Sequence, residues 1–234
     1  MSKTKISVFT PTRERYDYLV RAMQSLVDTA EDLSRIEFIY AFDSDDLDTM
    51  NKFKEYADKA WPHANMIYHV APVRHGWKQV HKYMNDMAAI ATGDWFFIWS
   101  DDAIMHTRDW DKIIADKYSD RYCVVASKLF QHPSQLPMFP FFPRKWYELS
   151  DNKVSGVCGD LWIGTVSKAL GILVEEEGLA ISHFAMTSEL HGSINHLFWN
   201  SRAEWQADIA RMQEYINTLP PDHLSGLKIS TGSW

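Results

Sequence analysis

A chain of 234 residues, 46% hydrophobic and 24% charged, can bury a large core without disulfide staples, in one large domain or two small ones. Its formal net charge of −7 argues against nonspecific binding to nucleic acid or to an anionic membrane surface. Two cysteines, no apolar run near the roughly 20 residues of a membrane span, and no apolar signal core at the start lead to the expectation of a reducing, cytoplasmic setting.

The apolar run "KISVFT" (5–10) stops at Pro11 and predicts a first strand. Leu19, Ala22, Met23, Leu26 and Val27 then recur at helical spacing between Tyr18 and Thr29. "IEFIYAFD" (36–43) predicts a second strand ending in an acid, and Met50, Phe53 and Tyr56 or Ala57 mark an amphipathic helix within 46–61. "NMIYHVA" (65–71) predicts a third strand. The stretch 77–92 predicts a helix carrying Val80, Met84, Met87 and Ala91, with Gly93 as its C-cap. "WFFIW" (95–99) is the fourth strand. Such alternation predicts a parallel sheet with helices on both faces.

Beyond residue 103 the pattern loosens. A helix is expected over 108–118, and a strand over 122–130 with Cys123 as a packed free thiol. An irregular loop is expected over 131–148, where four prolines alternate with aromatics. A helix follows over 159–171 and a strand over 179–186. Trp205, Ile209, Met212, Ile216 and Leu219 then define a last amphipathic helix, followed by a loose polar tail from Ser225. Residues 1–200 would form the main domain, with 201–234 packed on it.

Ligands of such sheets sit at the carboxyl ends of the strands. Three predicted strands end in polar groups: Thr10-Pro11-Thr12-Arg13, Asp43-Ser44-Asp45-Asp46 and Ser100-Asp101-Asp102. These should gather on one rim. Adjacent carboxylates after a buried run repel one another unless water or a cation holds them. A solvated turn is one solution; Mg²⁺ or Mn²⁺ shared with phosphates is the other.

The order of these elements resembles the GT-A glycosyltransferases, in particular glycosyltransferase family 2, over roughly residues 5–185. "VFTPTRER", Asp43 in "AFDSDD", and "NDMAAIATGDWFFIWSDD" carry the resemblance, with Asn85, Ala91, Gly93 and Asp94 in register. Ser100 stands at the first acid of the family's DXD signature and Asp102 at the last. Met84 replaces the usual Arg before Asn85, and Arg74-His75-Gly76 replaces the usual Asn-x-Gly after the third strand. The resemblance implies an α/β, GT-A-like, mostly parallel sheet flanked by helices, with a C-terminal helical extension. It implies a metal-dependent inverting glycosyltransferase that moves a sugar from a nucleotide-sugar donor, UDP-linked, to an acceptor hydroxyl. Mn²⁺ or Mg²⁺ would be held by Asp102 and a late histidine, His191 ahead of His183. Thr10, Pro11, Thr12, Arg13, Asp43, Arg74 and Asp101 would line the nucleotide, and Asp160 would act as general base.

The chemistry of the residues fits these roles. Uracil offers a ring N–H that a carboxylate such as Asp43 can accept, although Asp43 would also suit a helix cap. A base is needed for the acceptor hydroxyl; Asp160 opens a predicted helix, where an acid also favours the macrodipole. Trp146, Tyr147 and Trp162 would either stack on sugar or pack in the core. A noncatalytic binding module on the same fold is the alternative. A nucleotidyltransferase is the other, and "TPTRERYDY" lacks the glycine that a triphosphate cradle needs.

Overall fold

A computed structural model describes residues 4–76, 79–129, 138–154, 159–183 and 202–230. The first apolar run forms β1 (Ile6–Pro11), and the apolar face at 3–4 spacing forms α1 (Tyr16–Thr29), which buries Leu19, Ala22, Met23 and Leu26. The alternation continues through β2 (Ile36–Asp43), α2 (Leu47–Ala60), β3 (Asn65–Ala71), α3 (Val80–Ile90) and β4 (Trp95–Ile98). There follow β5 (Ala103–Met105), α4 (Trp110–Tyr118), β6 (Val124–Leu129), β7 (Phe141–Pro143) and α5 (Arg144–Leu149). The last described elements are α6 (Gly159–Ala169), β8 (Leu173–His183) and α7 (Arg202–Ile216).

The strands form a single mixed sheet in the order β3-β2-β1-β4-β7-β6-β8-β5. The pairs β3–β2, β2–β1 and β1–β4 are parallel, as expected from the strand–helix alternation. β7 runs antiparallel to both β4 and β6, β6 and β8 are parallel, and β5 closes the far edge antiparallel to β8. The chain returns to β1 from both sides, so a topological switch lies between the carboxyl ends of β1 and β4.

Side chains alternate across the sheet and make two cores. Val8, Phe38, Tyr40, Phe42 and Phe97 pack with α1, α2 and α4 on one face. Phe9, Ile39, Ala41, Phe96 and Ile98 pack with α3, α5, α6 and α7 on the other. Strands covered on both faces need continuous apolar runs, which is why β2 is buried from end to end. Each large side chain so enclosed contributes about 1.5–3 kcal/mol. α7 docks through buried Trp205 and Met212, and Asp208 accepts a hydrogen bond from Trp162 Nε1 at 3.0 Å.

Four expectations are corrected. α3 ends at Ile90 with Ala91 as an extended C-cap, and Gly93 has another role: a Cβ there would lie 2.4 Å from Ser7 Oγ and 2.7 Å from the Ser7 backbone nitrogen. The expected loop over 131–148 contains β7 and α5; residues 131–137 lie outside the described part. The short strand β5 was not foreseen, because three residues carry no period. The polar tail is tied down: Glu175 N donates to Lys228 O at 3.1 Å and Ser230 N to Leu173 O at 2.8 Å.

Candidate active site

β1 ends at Pro11, and Thr12 N still donates to Ala41 O at 3.0 Å. This holds Thr12 over the switch, where its hydroxyl donates to Asp101 Oδ2 at 2.7 Å. Asp101 and Asp102 are 4% and 3% exposed, so the paired acids are buried. Arg15, one residue before α1, resolves their repulsion. Its Nη1 donates to Asp101 Oδ1 and its Nη2 to Asp102 Oδ2, each at 2.8 Å. His183, the last residue of β8, places Nε2 2.9 Å from Asp102 Oδ1, and Ser100 Oγ donates to the same oxygen.

The two acids are tuned apart. Burial pushes Asp101 up to about 6, against the hydrogen bond from Thr12 and the charge of Arg15, and the Asp102 carboxylate adds to the rise. Burial also opposes the charge on Asp102, but hydrogen bonds from His183 and Ser100, with Arg15 beside them, outweigh it and hold this carboxyl below its usual range. Asp102 is therefore the permanent anion of the pair.

A second group sits at the end of β2. Asp43, 2% exposed, accepts from Arg13 Nη1 at 3.2 Å through Oδ2 and from the Tyr83 hydroxyl through Oδ1. Arg13 also donates to Asp45 Oδ2 at 3.1 Å and to Glu14 at 2.8 Å. The hydrogen bond from Arg13 holds the Asp45 carboxyl below its usual range, and the charge of Arg74 adds to this. Asp43 therefore does not cap α2. Asp46 stands at that cap position, and its carboxylate accepts from Glu14 N and Thr49 Oγ1, each at 2.7 Å. Thr10 is buried at the end of β1, and Pro11 is half-buried.

The structure thus brings Thr12, Arg13, Asp43, Asp101, Asp102 and His183 to one rim, with Arg74 beside Asp45. His191 lies outside the described residues, as does the side chain of Asp160. The backbone of Asp160 lies in the first turn of α6, whose first residue, Gly159, packs so closely that a Cβ would lie 2.7 Å from Val154 Cγ1 and 3.5 Å from Ile98 Cδ1. Ile98 is the last residue of β4, so α6 begins beside the strand that ends in Asp101-Asp102. Asn85 of the sequence motif fixes this start by pairing with both the N–H and the carbonyl of Val154. Trp146, Tyr147 and Trp162 are 0%, 7% and 0% exposed and belong to the core, which removes them as sugar platforms. Sequence reasoning missed Arg15 and Tyr83. Arg15 sits in a charged run that reads as surface, and Tyr83 reads as one more apolar helix residue.

Among the described residues no three His, Cys, Asp or Glu side chains form a ready metal cage. The donors present still fit a hard divalent ion. Asp102 Oδ1 and His183 Nε2 meet at 2.9 Å as a hydrogen-bonded pair, and a divalent ion held by both would displace the proton between them. One carboxylate with few other protein ligands is the usual share for an ion completed by phosphates and water.

The parallel 3-2-1-4 order is shared by many doubly wound sheets; the mixed eight-stranded sheet flanked by helices is that of the GT-A glycosyltransferases. The chain belongs to glycosyl transferase family 2, whose family model matches residues 7–159. Solved structures of glycosyltransferases share the fold. S. aureus TarS 1–349 in complex with UDP-GlcNAc superposes with a TM-score of 0.63 at 15% identity, covering 81% of this chain and 61% of that one. The Pyrobaculum calidifontis mannosyltransferase PcManGT, in complex with GDP-Man and Mn²⁺, gives 0.64 at 12% identity, covering 96% and 68%. The chain spans about 60% of the TarS 1–349 chains solved alone and with UDP-GlcNAc. No match was found among curated proteins. No helix among the described residues is long and apolar enough to cross a membrane.

Proposed function

We propose that this chain is a divalent-metal-dependent glycosyltransferase that moves a sugar, with inversion, from a UDP-linked donor to an acceptor hydroxyl. The observation that carries the reading is the meeting of Asp102 and His183 at 2.9 Å, beside Asp101, at the switch between β1 and β4. Donor complexes of proteins sharing the fold, with UDP-GlcNAc, and with GDP-Man and Mn²⁺, support a nucleotide-sugar at this rim. The buried thiol of Cys123, pushed up to about 12 by burial, takes no part in this chemistry.

Asp102 and His183 would hold Mn²⁺ or Mg²⁺, which neutralises charge growing on the diphosphate as the glycosidic bond breaks; His191 is the other candidate ligand. Asp43 would accept the uracil N–H, held in place by Arg13. Thr10, Pro11 and Thr12 at the end of β1 would line the nucleotide, as would Arg74, whose charge acts on Asp45. Asp101, pinned by Thr12 and Arg15, would face the ribose. Asp160, in the first turn of α6, would take the proton of the acceptor hydroxyl.

A noncatalytic nucleotide-binding module is the second reading, favoured by the way Arg15 already satisfies both buried carboxylates. Incubation with a panel of nucleotide sugars, Mn²⁺ and candidate acceptors separates the two. Metal-dependent release of UDP supports the transferase; metal-dependent binding with no turnover across the panel supports the module.

A further inference from the structure

Tyr83 stands in the first turn of α3, and its hydroxyl has one proton to donate and two lone pairs. All three are in use. The proton goes to Asp43 Oδ1, and the lone pairs accept from the backbone N–H of His75 at 2.9 Å and of Gly76 at 3.1 Å. The tyrosine is 6% exposed, and its ring meets the His75 ring edge-on at 5.0 Å. One hydroxyl therefore ties the carboxylate at the end of β2 to the turn that follows β3.

Among the described residues these two amides have no backbone acceptor, so the Tyr83 oxygen holds the turn together with the bond from Gln79 N to Gly76 O at 3.0 Å. Gly76 has φ +70°, a left-handed conformation that a side chain resists, and a Cβ there would meet nothing within 4 Å. The glycine serves the backbone path and not a close contact. The path carries Arg74 to a place where its charge acts on Asp45.

We propose that Tyr83 is a specificity-positioning residue for the nucleobase, acting through Asp43 and the 74–76 turn. The inference rests on the reading of Asp43 as the base-binding carboxylate. With Tyr83 on Oδ1 and Arg13 on Oδ2, Asp43 accepts through both oxygens and keeps one lone pair on each. Such a group takes a base with a ring N–H, as in uracil, and rejects one that presents a ring lone pair at that place, as in cytosine. Discrimination of this kind depends on the buried acceptor being unable to turn away. A phenylalanine at 83 frees the carboxylate to rotate and leaves the amides of His75 and Gly76 without their acceptor.

The test is calorimetric titration of UDP and of CDP, each with Mn²⁺, into the wild type, Tyr83→Phe and Gly76→Ala. The wild type is expected to prefer UDP. Tyr83→Phe should lose about tenfold in UDP affinity while CDP changes little, so the preference closes. Gly76→Ala strains the same turn without touching Asp43; it should weaken UDP binding and keep the preference. Tyr83→Phe that melts lower but keeps the UDP preference would make the tyrosine merely structural and overturn the inference. Should Tyr83→Phe not fold, wild-type UDP affinity in Gly76→Ala overturns it instead. A wild type that binds UDP and CDP equally removes Asp43 as base reader, and one that binds neither removes the nucleotide reading of the whole rim.

Discussion

At the amino ends of β1, β2 and β4 a single buried carboxylate, Glu37, meets the Ser7 hydroxyl, the Thr92 hydroxyl at 2.6 Å, the Thr92 amide and the Gly93 amide at 3.2 Å. At the carboxyl ends of the same strands Asp43, Asp45, Asp46, Asp101 and Asp102 crowd around Arg13, Arg15 and Arg74. At the first end the buried acid meets only neutral donors, and the charged groups beside it, Asp94 and Arg144, are spent on backbone N–H and carbonyl groups. The second has more carboxylates than guanidiniums. A saturated acid acts as a clamp: Glu37 and Ser7 bind the 92–93 turn to β1 and β2, and Arg144 Nε reaches Gly93 O at 2.8 Å from α5. An excess of acid leaves a field that attracts a cation. The same sheet thus has a structural end and a chemical end, and substitutions should separate them.

The largest effect is expected at the chemical end. Asp160→Asn keeps size and polarity but cannot accept a proton, so transfer should fall about 10²–10⁴-fold. UDP affinity in Mn²⁺ should stay at the wild-type value, because a base for the acceptor hydroxyl would make no contact with the diphosphate. If Asp160 only favours its helix, turnover survives and stability drops by about 0.3–1 kcal/mol. Steady-state kinetics beside a melting curve separate these outcomes.

Arg15→Ala should come next. It leaves two buried carboxylates facing each other, and removing the partner of such charges costs about 1–3 kcal/mol here, less than for a fully enclosed pair because the arginine is partly exposed. Mn²⁺ bound at Asp102 would supply positive charge to the same carboxylate pair, so the loss measured in EDTA should shrink when Mn²⁺ is added. An equal loss in both conditions would separate the carboxylate pair from the metal.

At the structural end Gly93→Ala should destabilise by about 1–3 kcal/mol, since the new methyl meets backbone that cannot move aside. Binding of UDP at the opposite end should be unchanged once the protein is folded. Loss of binding without loss of stability would contradict the division drawn above.

This division also explains what could be read from the sequence. Strand ends that combine an apolar run with a sudden acid announce themselves, so Asp43, Asp101 and Asp102 were legible, as was their meeting on one rim. Thr12 was legible as a neighbour, but its bond to Asp101 spans 89 residues and no local pattern encodes it. Gly93 was visible and misread, because a glycine after a helix signals a cap equally well as a close approach between strands. The order β7-β6-β8-β5 was illegible: β5 and β7 have three residues each, too few for a period to show. Arg15 and Tyr83 were illegible for a related reason, since their partners come from other elements brought close only by the completed sheet.

The smallest effect expected is a change of slope with pH, and it belongs to Glu37. Burial alone would raise this carboxyl, but hydrogen bonds from Ser7, Thr92 and Gly93 outweigh it and hold the folded-state value below 4.5. The unfolded chain therefore takes up the proton first as the solution is acidified. Above pH 4.5 the acid is ionised in both states, and its contribution to stability is complete. Below that value the contribution falls by at most about 1.4 kcal/mol per pH unit, and it is gone once the folded acid also protonates. Glu37→Gln has no proton to take up. It should lie below the wild type at neutral pH, having lost charge-assisted hydrogen bonds, and the gap should narrow as the pH drops through 4. Asp102 depresses the acid limb of both curves alike, so the difference between them isolates Glu37. Urea melts at a series of pH values measure it. A gap that stays constant from pH 7 to pH 3 would mean that Glu37 titrates alike in both states and that the clamp at the amino end owes nothing to its charge.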